Sequence, residues 1–252
     1  MPRRMNIVHS AELILVTKRP RQRKPKPPSE PTPRATQRRQ ALRESLIEAA
    51  ERAIGVHGIA GVNARDLARA VGSSLGAIYN VFPHLDAIVF EVNSRTLAMF
   101  EAFVAKRGKV RWEDIDREAA IIALVGLAEA YLDFAVSNQP RWRAIFEQKV
   151  SAPGGLPKSY LSDQARLFTL VERPLAVLRP ELDDRRRMLF ARTMFSAVHG
   201  IVSLSLDAKL VSLPIAVVGG QLRAFVGVLG RGLLTEESLL GRRALPKKSS
   251  RA

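Results

Sequence analysis

The stretch that most constrains this chain is Asn63 to Phe82, NARDLARAVGSSLGAIYNVF, which reads as two short helices joined by a glycine turn. Asn63 is a good N-cap, because its side-chain oxygen can accept from the orphan amides of a first helical turn. Leu67, Ala68 and Val71 recur at helical spacing on one face, and Gly72 offers a left-handed stop at the least steric cost. Ser73 and Ser74 can then cap a second helix carrying Leu75, Ile78 and Tyr79. Two helices across such a turn form a helix-turn-helix unit, whose second member can enter a DNA major groove. The same spacing also suits an ordinary corner inside a helical domain. The flanks decide between the two.

Upstream, Leu46, Ile47, Ala50, Ala53 and Ile54 make an apolar stripe on a helix expected over Thr36–Val56, closed at His57-Gly58. Its early Arg38, Arg39 and Arg43 could face phosphate. Downstream, Pro83 breaks the second short helix, and a long amphipathic helix is expected over Leu85–Lys106. Further helices are expected from Asp114 or Asp116 to about Val136 and from Lys158 to Leu178. Between them, Asn138–Trp142 reads as a break and restart with Pro140 near the first helical position, and Arg143 to Val150 is short and helical. Two more, Glu181–Leu206 and Pro214–Leu234, complete the series. Apolar positions repeat at three and four, and alternating runs bounded by turn dipeptides are scarce, so the fold class is all-α.

Taken with its flanks, the N-terminal part resembles the tetracycline-repressor (TetR) family of bacterial regulators. The matching positions are Ala49-Ala50, Gly58, Leu67-Ala68, Gly72, Gly76, Tyr79 and Phe82. Three positions depart from the family pattern. Asn63 stands where Thr or Ser is usual, Val81 where His or Tyr is common, and Leu85 where a phosphate-contacting Lys is common; His84 or Arg65 could substitute for that Lys. The C-terminal half resembles the TetR regulatory domains named for a Trp-His-Gly motif, through Tyr131, Phe134, Ala135, Pro140, Trp142 and Phe146. Val198-His199-Gly200 matches the motif itself, with Val in place of Trp.

The resemblance implies a three-helix, helix-turn-helix DNA-binding domain over residues 36–100, its motif at 63–82. A connecting helix would join it to a helical ligand-binding and dimerisation domain over 101–236. Residues 1–35, rich in Pro, Arg and Lys, and residues 237–252 read as disordered tails. The DNA-facing set is then Asn63, Arg65, Ser73, Ser74, Leu75, Ala77, Tyr79, Asn80 and His84. Asn80 has an amide that could pair with adenine, while the resemblance gives Tyr79 to phosphate.

Charge supports a polyanionic partner. The net charge is +16, and residues 1–39 hold eleven Lys and Arg against Glu12 and Glu30, so more than half the excess lies there. The N-terminal segment is either a solvated tail or an arm adding phosphate contacts. With no cysteine, disulfides and thiolate metal sites are excluded, and a reducing cytoplasm is compatible. Ala11–Val16 is too short for a signal peptide and contains Glu12. Ala119–Val136 is the most apolar window, but Glu129 and Asp133 interrupt it, so a helix buried in protein explains it better than a membrane span. No membrane partner is expected.

No phosphate loop, nucleophile elbow or HExxH helix is legible, and His57, His84 and His199 pair with no carboxylate at ligand spacing. Neither an enzyme, a cofactor nor a metal site is expected. Phe134, Trp142, Phe146, Phe168, Met194 and His199 could line a mostly apolar small-molecule pocket, with His199 otherwise a hydrogen-bonded core residue. The last two helices are apolar over more than one stripe, which asks for burial against a second partner. A two-fold homodimer interface is expected there, with Val198, Val202, Val218, Leu222 and Phe225 in it and Gly200, Gly219, Gly220 and Gly227 leaving room for close approach. The expected function is therefore a dimeric repressor, released from double-stranded operator DNA by a small-molecule effector. The alternative is a basic, nonspecific DNA-binding or architectural protein.

Overall fold

The computed structural model describes residues 32–108, 115–148, 155–207 and 213–235. Nearly all of the N-terminal tail, the C-terminal tail, Asp114 and most of the loop 151–157 lie outside the described residues. Among those described, the structure is helical throughout. The helices are α1 (Pro33–His57), α2 (Ala64–Ala70), α3 (Leu75–Val81), α4 (Leu85–Lys106), α5 (Arg117–Ser137), α6 (Gln139–Glu147), α7 (Lys158–Leu178), α8 (Asp184–Leu206) and α9 (Ile215–Thr235). A single 3-10 turn, Ile59–Gly61, separates α1 from α2.

Side-chain caps set most of the helix starts. Asn63 Oδ1 accepts from the Asp66 amide at 2.9 Å, and Ser74 Oγ from the Ala77 amide at 3.2 Å. Asp116 and Asp183 do the same for α5 and α8 at 2.7 and 2.8 Å. Gly72 adopts φ 63°, a left-handed turn between α2 and α3 that a side chain would strain. Two starts differ from expectation. α1 begins at Pro33 rather than Thr36, because Thr32 caps it and proline suits a first turn. α8 begins at Asp184, and Glu181 instead pairs with Arg179 ahead of it. α6 begins at Gln139, with Pro140 in its first turn, so the restart at Pro140 and the segment from Arg143 form one helix.

Two cores result. Leu46, Ile47, Ile54, Leu67, Ile78 and Phe82 form the first with Ile88, Val89 and Val92 of α4, tying the helix-turn-helix to α1. The second surrounds α5, which packs on α4, α6, α7, α8 and α9. α4 serves both, since Phe100 and Phe103 near its end pack on the second core. α5 and α9 approach closely at Gly230, where an added Cβ would lie 3.0 Å from Ile121. By contrast Gly200 and Gly220 face open space. α5, α8 and α9 are each long and apolar enough, by length and composition, to cross a membrane.

Asn63→Ala should lower stability by ~1 kcal/mol in urea denaturation, and Asn63→Asp, which keeps a capping oxygen, should restore most of it. Equal losses in both variants would show that the cap does not hold α2.

Candidate nucleic-acid interface and ligand cavity

Burial divides the short helices cleanly. Ile78 is fully buried, whereas Ser74, Leu75, Gly76, Tyr79 and Asn80 are exposed, with Ser73 and Ala77 half-buried. Leu75 is 40% and Tyr79 50% exposed, a large apolar and aromatic outlay on solvent for so short a helix. Arg65 is exposed on α2. Asn63 is engaged within its own turn, since its oxygen caps α2 and its Nδ2 donates to Asp66 at 2.5 Å. His84 caps α4, accepting from the Ala87 amide at Nδ1, so its remaining ring nitrogen is the one left to donate outward. Arg43 pairs with Glu91 and lies over the Phe82 ring at 5.2 Å; it braces α1 against α4 and does not face phosphate. Arg34 joins Arg38 and Arg39 as an exposed cation on α1, a residue hidden from sequence reasoning by the later start assigned to that helix.

The second core encloses a cavity of about 620 Å³ bounded by α4–α9. Phe134, Trp142, Phe146, Phe168 and Met194 all line it. Gln164, Arg192 and Ser196 also line it and went unnoticed in the sequence, although Arg192 and Ser196 lie one helical turn apart beside Phe195. His199 stands behind the wall rather than in it. Its Nδ1 lies 2.7 Å from Tyr131 Oη, and Trp142 Nε1 donates to that oxygen at 2.9 Å. An indole nitrogen only donates, so the Tyr131 hydroxyl accepts from Trp142, and its bond to His199 Nδ1 runs in the direction set by the imidazole tautomer. Burial alone pushes the His199 pKa below its ordinary value, and burial also raises that of Tyr131.

The interface expectation needs correction. Val198, Val202, Val218 and Leu222 are buried against their own chain, and Val198 lines the cavity. They fill the second core because α8 and α9 turn these stripes toward α5. Of the five, Phe225 is exposed, as are Val217 and Val228 on α9 and Leu189 and Leu204 on α8.

α6 touches both cores. Ala144 is fully buried in the first, while Trp142 and Phe146 line the cavity. Arg141 Nη1 reaches Glu51 Oε1 of α1 at 2.5 Å, and Arg95 of α4 reaches the other oxygen at 3.3 Å. Burial works to raise the Glu51 pKa, but the hydrogen bonds and charges of Arg141 and Arg95 outweigh it and hold the carboxyl below its ordinary value. Among the described residues, no group of three His, Cys, Asp or Glu could hold a metal ion.

His199 yields a pH prediction. Burial holds its folded pKa below the ordinary histidine value of about 6.5, so the unfolded chain takes up more protons as pH falls. Its contribution is full above pH ~6.5 and is lost progressively below it, until the folded pKa is passed. Urea midpoints measured from pH 7.5 to 5.5 should fall in wild type and fall less in His199→Gln. Parallel curves would show that His199 titrates as freely folded as unfolded.

Sequence and fold comparisons place both domains in known company. Residues 46–92 match the family model for bacterial regulatory proteins of the tetR family, and residues 124–218 match the tetracyclin repressor-like C-terminal domain. No curated protein matches the chain in sequence. Among solved structures, a protein of unknown function from Rhodococcus sp. RHA1 is similar at 22% identity and TM-score 0.54, over 76% of this chain and 94% of that one. A candidate tetR family regulator from Shewanella sp. PV-4 is similar at 14% identity and TM-score 0.53, over 75% and 95%. RolR, solved in complex with its ligand resorcinol, is similar at 15% identity and TM-score 0.54, over 84% and 98%. With both domain matches spanning more than half its length, around a helix-turn-helix and a helical cavity domain, the chain belongs to the tetR family of bacterial regulatory proteins.

Proposed function

We propose that the protein is a cytoplasmic, homodimeric repressor that leaves its operator when a small-molecule effector fills the cavity. The observation that carries this reading is α6, which meets the cavity through Trp142 and Phe146 and the DNA-binding core through Ala144 and Arg141. A ligand that moves α6 changes the support of α1 and α4, and hence the spacing of two recognition helices. Such a ligand shifts the DNA equilibrium only by its differential affinity for the two states. No catalytic role is needed. A gel shift of the full chain on its own promoter, with competitor DNA at physiological salt, tests the reading. A discrete complex that resists competitor supports it. Retention that vanishes equally on any competitor, with a steep salt slope, would favour nonspecific binding driven by the net charge of +16.

Base reading falls to Asn80, whose amide lies on the exposed side of α3 and suits adenine. Asn80→Ala should weaken the specific complex by ~1–3 kcal/mol while leaving random DNA almost unaffected. Equal losses on both would remove Asn80 from the reading role.

Dimerisation falls to the exposed apolar residues of α8 and α9. Val217, Phe225 and Val228 share one face of α9, and Leu189 and Leu204 lie uncovered on α8. A two-fold pairing would bury them in four helices and set the recognition helices on two half-sites. Phe225→Glu with Val228→Glu should convert a dimer to a monomer in light scattering, with helicity retained. A wild type that is monomeric at micromolar concentration would overturn the pairing.

A further inference from the structure

We propose that the cavity selects a largely apolar anion, a carboxylic acid with a hydrocarbon or aromatic body, and that Arg192 reads its charge. This rests on taking the cavity as the effector site. The wall is dominated by rings and aliphatic side chains, among them Phe100, Phe134, Trp142, Phe168 and Phe195. Among its lining residues Arg192 carries the sole charge, and no carboxylate stands there to meet a cation.

The polar groups nearby are mostly committed. The Tyr131 hydroxyl serves Trp142 and His199, and Ser196 Oγ donates to the Arg192 carbonyl at 2.9 Å. Arg192 is different. Its guanidinium lies 5.5 Å from the centre of the Phe168 ring and has no carboxylate partner among the described residues. Arg166 and Arg187, on the same two helices, are both ion-paired. A guanidinium stacked by its face keeps its edge N–H groups for a carboxylate, in a fork that fits both oxygens. Arg192 is also exposed, as are Leu161, Ala165 and Phe146, so these residues mark the cavity mouth between α6, α7 and α8. The ligand would then sit with its apolar body inward and its acid at the opening, where the ion keeps part of its hydration. The volume of about 620 Å³ falls within the range of drug-sized sites.

The test is calorimetric titration of the full chain with dodecanoate and with biphenyl-4-carboxylate, each beside its neutral primary amide, and with dodecylamine. Wild type should bind at least one acid roughly tenfold more tightly than its amide and the amine most weakly, with the acid's advantage shrinking as salt rises. Arg192→Gln should erase the advantage by weakening the acid and leaving the amide unchanged, and Arg192→Lys should keep part of it. Whichever acid binds better assigns the body as chain or ring. Ala165→Trp, a change at the exposed mouth, should weaken acid and amide together and so locate both in the cavity. Equal binding of acid and amide, or an advantage that survives Arg192→Gln, would overturn the charge assignment while the cavity stands as a binding site. Failure of every probe to bind wild type would overturn the cavity reading as well.

Discussion

A nine-residue helix, α6, must satisfy two cores at once, and the arrangement of the two domains follows from that constraint. Ala144 has no exposed surface in the first core, and Trp142, two residues away, is 3% exposed in the second. In a nine-residue helix most backbone groups belong to one end or the other and lack a partner within the helix, so its neighbours must supply some of them. Asn93 Nδ2 of α4 donates to the Ala144 carbonyl at 3.2 Å, close to the end of α6. In turn Gln139 and Arg143 of α6 donate to the Leu206 carbonyl, the last of α8. The chain α4 to α6 to α8 is therefore hydrogen-bonded end to end, and the Arg141–Glu51–Arg95 cluster ties the same helix to α1. The ion pairs of that cluster are partly solvated, so their value lies more in geometry than in stability.

The hydrogen bonds among Tyr131, Trp142 and His199 do a related job inside the second domain. They join α5, α6 and α8 by directional bonds where the surrounding contacts are apolar and tolerant of sliding. An unsatisfied buried polar group costs about 1–3 kcal/mol, so the three groups hold one another in a single arrangement. Phe146 packs on the His199 ring at 4.1 Å between centroids, which carries that arrangement to the cavity wall. A ligand touching Trp142 or Phe146 therefore presses on a set with few alternative packings.

What the sequence made legible was governed by local physics. Asn63, Gly72 and Ser74 act through bonds and dihedrals three residues apart, and the helix-turn-helix followed from them. The aromatic wall was legible because rings at helical spacing in an apolar domain must face inward somewhere. What periodicity could not supply was which of two inward directions a stripe takes. Val202, Val218 and Leu222 satisfy the same spacing whether they meet α5 or a second copy, and only the placement of α5 decides it. Arg192 was hidden for the converse reason. On a helix opening with Asp183, Asp184 and three arginines, one more exposed cation reads as solvated surface until Phe168 of α7 is seen beneath it.

The apolar character of α8 and α9 leaves a remainder that the described residues do not absorb. α5 is apolar around most of its girth and is met by five neighbouring helices, so its composition is accounted for internally. α9 is nearly as apolar, yet Val217, Phe225 and Val228 stay uncovered. Lipid could cover such a surface only if polar groups kept clear of it, because unpaired charges facing hydrocarbon are costly. Here Gln221, Arg223 and Arg231 are exposed along the same helix, and Arg223 pairs with Glu129. Apolar residues interleaved with an arginine and a glutamine are the mix of a protein interface, whose polar members are bridged or solvated at its rim. That mix favours another protein surface over a bilayer as the cover for α9, and a second copy supplies one with the same composition.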